Sequence, residues 1–149
     1  MIKRKDPYNE ATALTVSHDI RVRFNETDPL GIVWHGYYIT YFEDGREAFG
    51  RKHGISYLDV FDSGYTTPIV KSTCEHKLSL RYGDVGRIET TIVDTPAAKM
   101  IYRYTIFDAE NKISCVGETV QVFLDSKGEL MLTNPPFYEE WKRKVGLLK

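Results

Sequence analysis

Between Gly36 and His53 the residues Tyr38, Phe42, Gly45 and Phe49 recur at spacings of four, three and four, with Glu43, Asp44, Arg46, Glu47 and Arg51 among them. That period predicts a helix of about four to five turns carrying one aromatic stripe. Glu47 and Arg51 stand at i,i+4, where opposite charges pair. Gly50 and Gly54 flank the expected end. On either side the period falls to two. A chain with one striped helix and otherwise strand must pack that stripe on a sheet.

The strands read as follows. From Val16 to Phe24, Val16, His18, Ile20, Val22 and Phe24 share one face, and Ser17, Asp19, Arg21 and Arg23 the other. Thr66 to Leu80 is extended and ends at Tyr82-Gly83-Asp84; Arg87 to Asp94 closes at Thr95-Pro96. Lys99 to Phe107 and Ile113 to Leu124 alternate again, and Pro135 to Val145 reads as a short terminal helix. Strands in succession through short turns imply an antiparallel sheet, and the single helix before them implies an α+β layer. The face away from the helix still carries Ile101 and Phe107, which predicts cover by a partner subunit.

The 149 residues suit one domain, expected to run from 1 to 149. A formal net charge of −1 provides no global field for nucleic acid or an anionic membrane, and no apolar run approaches the ~20 residues a spanning helix needs. Neither is expected as a partner. The N-terminus turns polar at Asp6, Pro7, Asn9 and Glu10, where a secretory leader needs an apolar stretch, so the expected location is cytoplasmic. Cys74 and Cys115 form no CxxC and read as free thiols.

Phosphate-binding glycine motifs, GxSxG and HExxH are absent from the sequence. The histidines at 18, 35, 53 and 76 show no helix-metal spacing, so no metal is expected. Cys74 and His76 share a strand face, but at i,i+2 they stand about 7 Å apart, too far for direct proton transfer. Cys74 reads as a strand cysteine in an apolar setting.

Chemistry concentrates in Phe24-Asn25-Glu26-Thr27-Asp28-Pro29-Leu30-Gly31-Ile32-Val33-Trp34-His35-Gly36-Tyr37-Tyr38. A carboxylate sits in a Pro-containing turn, and a His-Gly stands at the expected helix entrance. Backbone donors at a helix start can polarise a carbonyl oxygen, and a nearby carboxylate can attack its carbon or activate water. Asp28 can equally serve an Asx turn before Pro29. Local pattern leaves both open.

The same stretch from Val22, followed by Tyr41-Phe42-Glu43 and Arg46-Glu47, resembles the hot-dog-fold acyl-CoA thioesterases of the 4-hydroxybenzoyl-CoA thioesterase type; Arg81-Tyr82-Gly83-Asp84 resembles their Gly-Asp turn. The resemblance implies an antiparallel sheet wrapped around one long helix. It makes Asp28 the catalytic aspartate, nucleophile or general base, and gives His35 the backbone N–H that polarises the thioester. Gly31, Gly36 and Tyr38 would line the substrate. It implies an acyl-CoA substrate with CoA as its only cofactor-like part, and a homodimer or homotetramer with sites between protomers. Two positions depart from the pattern: Tyr37 replaces an asparagine, and Phe24 stands where some members carry a tyrosine. Glu43 and Glu47 are the rival carboxylates, since other hot-dog enzymes use a helical glutamate. Lys71, Arg81, Arg87, Lys99 and Arg103 are the available cations for CoA phosphates. A non-catalytic thioester-binding module and a carrier-protein thioesterase are the alternative expectations.

Overall fold

The computed structural model describes residues 14–148, so the polar N-terminal segment read above lies outside the described residues. Five strands form one antiparallel sheet: β1 (Thr15–Arg21), β2 (Ile69–His76), β3 (Val85–Val93), β4 (Lys99–Phe107) and β5 (Ile113–Val122). Their spatial order is β1-β3-β4-β5-β2. Helices α1 (Tyr37–His53), α2 (Tyr57–Asp62) and α3 (Pro136–Lys144) complete the chain. The five strands, α1 and α3 fall within a few residues of the expected ranges.

The expected stripe is the core. Tyr38, Tyr41, Phe42, Gly45 and Phe49 are all buried, and the sheet answers with Ile88, Ile92, Met100, Tyr102, Tyr104 and Ile106. Phe42 stacks on Tyr104 with centroids 4.4 Å apart. Gly117 makes room for that ring, because a Cβ there would lie 2.4 Å from Phe42. Gly45 brings α1 onto β3 in the same way, within 2.3 Å of Thr90 Oγ1 for a Cβ.

The far end of α1 is closed twice. Gly54 takes φ +71°, and its N–H returns to Gly50, a left-handed terminus that glycine adopts without strain. The Trp141 indole N–H of α3 donates to the His53 carbonyl at 2.6 Å. Lys142 anchors α3 to the sheet: 3% exposed, it meets Asp94 at 2.7 Å and Thr95 O at 3.2 Å.

Three expectations need correction. β1 stops at Arg21 and not at Phe24, because Glu26 Oε1 captures the Arg23 N–H at 2.7 Å and folds the next residues into a 3-10 turn, leaving Phe24 78% exposed. Helix α2 falls in a stretch read without an element. Ser56 and Asp59 make its capping box, with Ser56 N–H on Asp59 Oδ2 at 2.9 Å and Asp59 N–H on Ser56 Oγ at 3.2 Å. Finally, Ile101 needs no second subunit to cover it. It is 1% exposed within one chain, in a small cluster with Val93 and Val120, and Phe107 lies under the Arg87 guanidinium at 4.0 Å.

Candidate active site

Residues 27–34 run as a narrow ribbon between β1 and α1. Thr27 bridges Val33, and Ile32 bridges Arg81. At the ribbon's tip Asp28 N–H donates to Ile32 O at 2.8 Å, and Gly31 N–H to Asp28 O at 3.0 Å. Gly31 takes φ +77°, with no atom within 4 Å of a would-be Cβ. The glycine is therefore required by backbone conformation rather than by crowding.

Asp28 makes the Asx turn: its Oδ1 accepts the Leu30 N–H at 2.8 Å. That bond fixes the side chain and occupies one carboxylate oxygen. The structural reading of Asp28 thus holds, and it leaves the second oxygen available for chemistry.

Downstream, Val33 N–H pairs with Leu80 O at 2.8 Å and Trp34 N–H with Glu26 O at 2.9 Å, delivering the chain to the start of α1. Gly36 is the N-cap, no side chain caps the helix, and its first turn holds no acid. An uncapped helix start keeps amide donors and positive partial charge for a ligand. His35 sits just outside, exposed, its ring 4.9 Å from the Trp34 indole. Gly36 lies under that indole: a Cβ would fall 2.1 Å from its ring.

Tyr38, expected to touch substrate, faces inward. It is 3% exposed, and its hydroxyl accepts the Leu80 N–H at 3.1 Å. It supports the helix mouth from below. The structure therefore gathers Asp28, Gly31, His35 and Gly36 along one continuous ribbon and turns Tyr38 into the core.

A cavity of about 640 Å³ opens elsewhere, between α1, α2 and the sheet. Glu43, Arg46 and Glu47 line its helix side, and Val60, Met100 and Tyr102 its apolar floor. Asp28 is not among its walls. Glu47 pairs with Arg51 at 2.6 Å, as the i,i+4 spacing predicts. Sequence reasoning missed this cavity, since its walls come from segments far apart in the chain.

Of the expected CoA cations, Arg87 is engaged by Glu89 at 3.6 Å and by Asn111, and Arg103 by Glu118 at 3.0 Å. Arg81 stands exposed beside the ribbon through its bridge to Ile32.

A curled antiparallel sheet around one long helix, with a carboxylate turn leading into an uncapped helix start, defines a hot-dog-fold protein of the thioester-hydrolase class. More particularly, the chain belongs to the Thioesterase-like superfamily, whose family model matches residues 22–144. It is 28% identical over 123 residues to the putative acyl-CoA thioesterase YneP of Bacillus subtilis, spanning 83% of this chain and 89% of that protein. The DHNA-CoA thioesterase of Staphylococcus aureus superposes with a TM-score of 0.79 at 25% identity, over 89% of this chain and 91% of that one. The 4-hydroxybenzoyl-CoA thioesterase of Pseudomonas shares the fold, with a TM-score of 0.73 at 24% identity over 85% and 98% of the two chains. Among the described residues, no helix is long and apolar enough to cross a membrane.

Proposed function

We propose that this protein is a cytoplasmic acyl-CoA thioesterase, splitting an acyl-CoA with water into free acid and CoA thiol. Asp28 is the reactive carboxylate. Its Oδ1 is held by Leu30 N–H, which leaves the other oxygen for the reaction, on the ribbon that leads into the uncapped start of α1. In the general-base form it takes a proton from water as the water oxygen attacks the thioester carbon. In the nucleophilic form it makes a mixed anhydride that water then opens. Either way the carbonyl oxygen gains charge, and the backbone N–H at His35 receives it. The hydrolysis itself needs no metal, because water, one carboxylate and amide donors balance it.

The observation that carries this reading is the pairing of the Asx-turn carboxylate with an uncapped, acid-free helix start. The thioesterase activities for which the similar proteins are named support it. Gly31 leaves the ribbon's tip without a side chain, and Arg81 beside the ribbon is the first candidate for a CoA phosphate.

The acyl group belongs in the amphipathic cavity along α1, which one chain keeps apart from its own Asp28. A homo-oligomer built on the β2 edge, with helices antiparallel, brings one chain's ribbon toward its partner's cavity. Strand β2 is suited to this: it is an outermost strand, and Ile69 and Val70 are 40% and 59% exposed.

Glu43 and Glu47 line that same cavity, which keeps a helical carboxylate as the second reading. The test is thiol release from short, long and aromatic acyl-CoAs by the wild type, Asp28→Asn and Glu43→Gln. Loss of orders of magnitude in Asp28→Asn alone supports the proposal; loss in Glu43→Gln alone transfers the role. CoA-ester binding with no turnover by any of the three leaves a binding module, and turnover only of acyl-carrier substrates changes the thiol.

A further inference from the structure

Where β2 meets β5, the helix-facing side of the sheet gathers three metal-ligating side chains that thioester hydrolysis leaves unused. Cys74 and His76 share a face of β2, and the register sets His76 opposite Cys115 and Cys74 opposite Gly117. The sequence alone kept Cys74 and His76 apart. The fold brings one donor atom from each of Cys74, His76 and Cys115 to within 4.8 Å of the others, with the two sulfurs 3.1 Å apart.

We propose that Cys74, His76 and Cys115 form a three-ligand site for a thiophilic divalent cation, of which zinc fits best, with a fourth position open on the His76 side. Two sulfurs and an imidazole are the donor set zinc selects, and no carboxylate stands in the trio to favour a hard cation. Tetrahedral zinc at about 2.3 Å from each sulfur sets the sulfurs about 3.8 Å apart, so they need to separate by only about 0.7 Å. Small χ1 adjustments supply that.

The surroundings are graded in a useful way. Within one chain Cys115 is fully buried, Cys74 half-buried and His76 exposed, so the trio runs from the core outward. The Phe42 ring roofs Gly117 next to Cys74, and the Tyr38 ring stands edge-on to the His76 imidazole at 5.1 Å. Such an apolar wall strengthens a cation–thiolate contact by excluding water. Burial pushes both thiols up from the ordinary cysteine value. A divalent ion displaces both protons, leaving a neutral bis-thiolate complex and two protons in solvent. The bound ion would clip the outermost strand β2 to β5 directly beneath the first turns of α1. The inference stands whether or not Asp28 hydrolyses thioesters.

The test uses reduced, metal-stripped full-length protein titrated anaerobically with Co²⁺ and then Zn²⁺. One Co²⁺ per chain is expected, giving a thiolate-to-cobalt charge-transfer band and tetrahedral visible absorption that stoichiometric Zn²⁺ abolishes. His76→Gln changes a side chain that is exposed within one chain and should fold as the wild type does. It should weaken Co²⁺ binding tenfold or more, since loss of even an outer-shell partner costs 10–100-fold. Cys74→Ser should halve the charge-transfer intensity. The proposal is overturned by a folded, reduced wild type that shows no thiolate band, or by His76→Gln titrating like the wild type. It also fails if air forms a Cys74–Cys115 disulfide in a protein whose reduced form takes up neither metal.

Discussion

The Tyr41 hydroxyl on α1 donates to Glu26 Oε1 at 3.0 Å, and that same oxygen accepts the Arg23 N–H at 2.7 Å. One carboxylate thus ties the 3-10 turn, which opens the Asp28 ribbon, to the second turn of the helix. Burial, with Glu26 alongside, pushes the Tyr41 phenol well up, so it remains a donor throughout the working pH range. Tyr41→Phe keeps the ring, which is 1% exposed, and removes the tie. A cost of about 1 kcal/mol in stability is expected. A several-fold drop in kcat should accompany it, because the ribbon is then less well held. Chemical denaturation and thiol-release kinetics on one preparation measure both.

At position 28 the turn-forming role of the side chain and its proposed catalytic role separate by substitution. Asparagine retains an oxygen to accept the Leu30 N–H, so Asp28→Asn should melt within about 2 °C of the wild type while losing turnover. Alanine removes the acceptor as well and should cost a further ~1 kcal/mol. Equal Tm values for the two variants would show that the Asx turn is not what holds the ribbon.

Gly36→Ala places a methyl group against the Trp34 indole. That indole is 49% exposed and can swing away, so stability should change by less than about 1 kcal/mol, as for other surface changes. Displacing it uncovers the helix mouth, and KM for acyl-CoA should shift more than Tm does. Trp34 fluorescence, with Trp141 as the invariant background, reports the movement.

Lys142 is nearly buried and its partner Asp94 partly exposed, at 4% and 27% of their side chains. Breaking a buried ion pair costs 3–5 kcal/mol. Because Asp94 can rehydrate, Lys142→Met should cost about 2–3 kcal/mol. Hydrogen exchange should show α3 opening before the sheet.

His53 packs on Phe49 with centroids 4.8 Å apart, and burial followed by the charge of Lys52 lowers its pKa. A base whose folded pKa lies below its unfolded value binds fewer protons when folded. Stability therefore falls as pH drops through the unfolded value of about 6.5 and levels off below the folded one. His53→Gln should flatten that part of a Tm-against-pH profile. An unchanged slope would assign the acid limb to other groups.

The 3.6-residue stripe and the two-residue alternations were sufficient to place α1, to set β4 at Lys99–Phe107, and to decide which face of each is buried. Local chemistry also offered the Asx turn at Asp28 as one of two readings and predicted the Glu47–Arg51 pair, since both depend on groups within four residues of each other. Helix α2 escaped because six residues are too few to show a period; only the Ser56–Asp59 box marked it.

What no period reports is which neighbour a buried face meets. Strand β2 precedes β3 in the chain yet pairs with β5, a choice made by the long-range closure of the sheet around α1. That choice gathers the cavity walls, and it brings Cys115 beside His76 from 39 residues away in sequence. Tyr38 turned inward for a related reason: its hydroxyl satisfies the Leu80 N–H at a point where two distant segments meet. Sequence determined α1, the five strands and a possible Asx turn at Asp28, because those rest on neighbours along the chain. Tertiary structure decided the pocket and the sulfur cluster, because those exist only where distant strands come together.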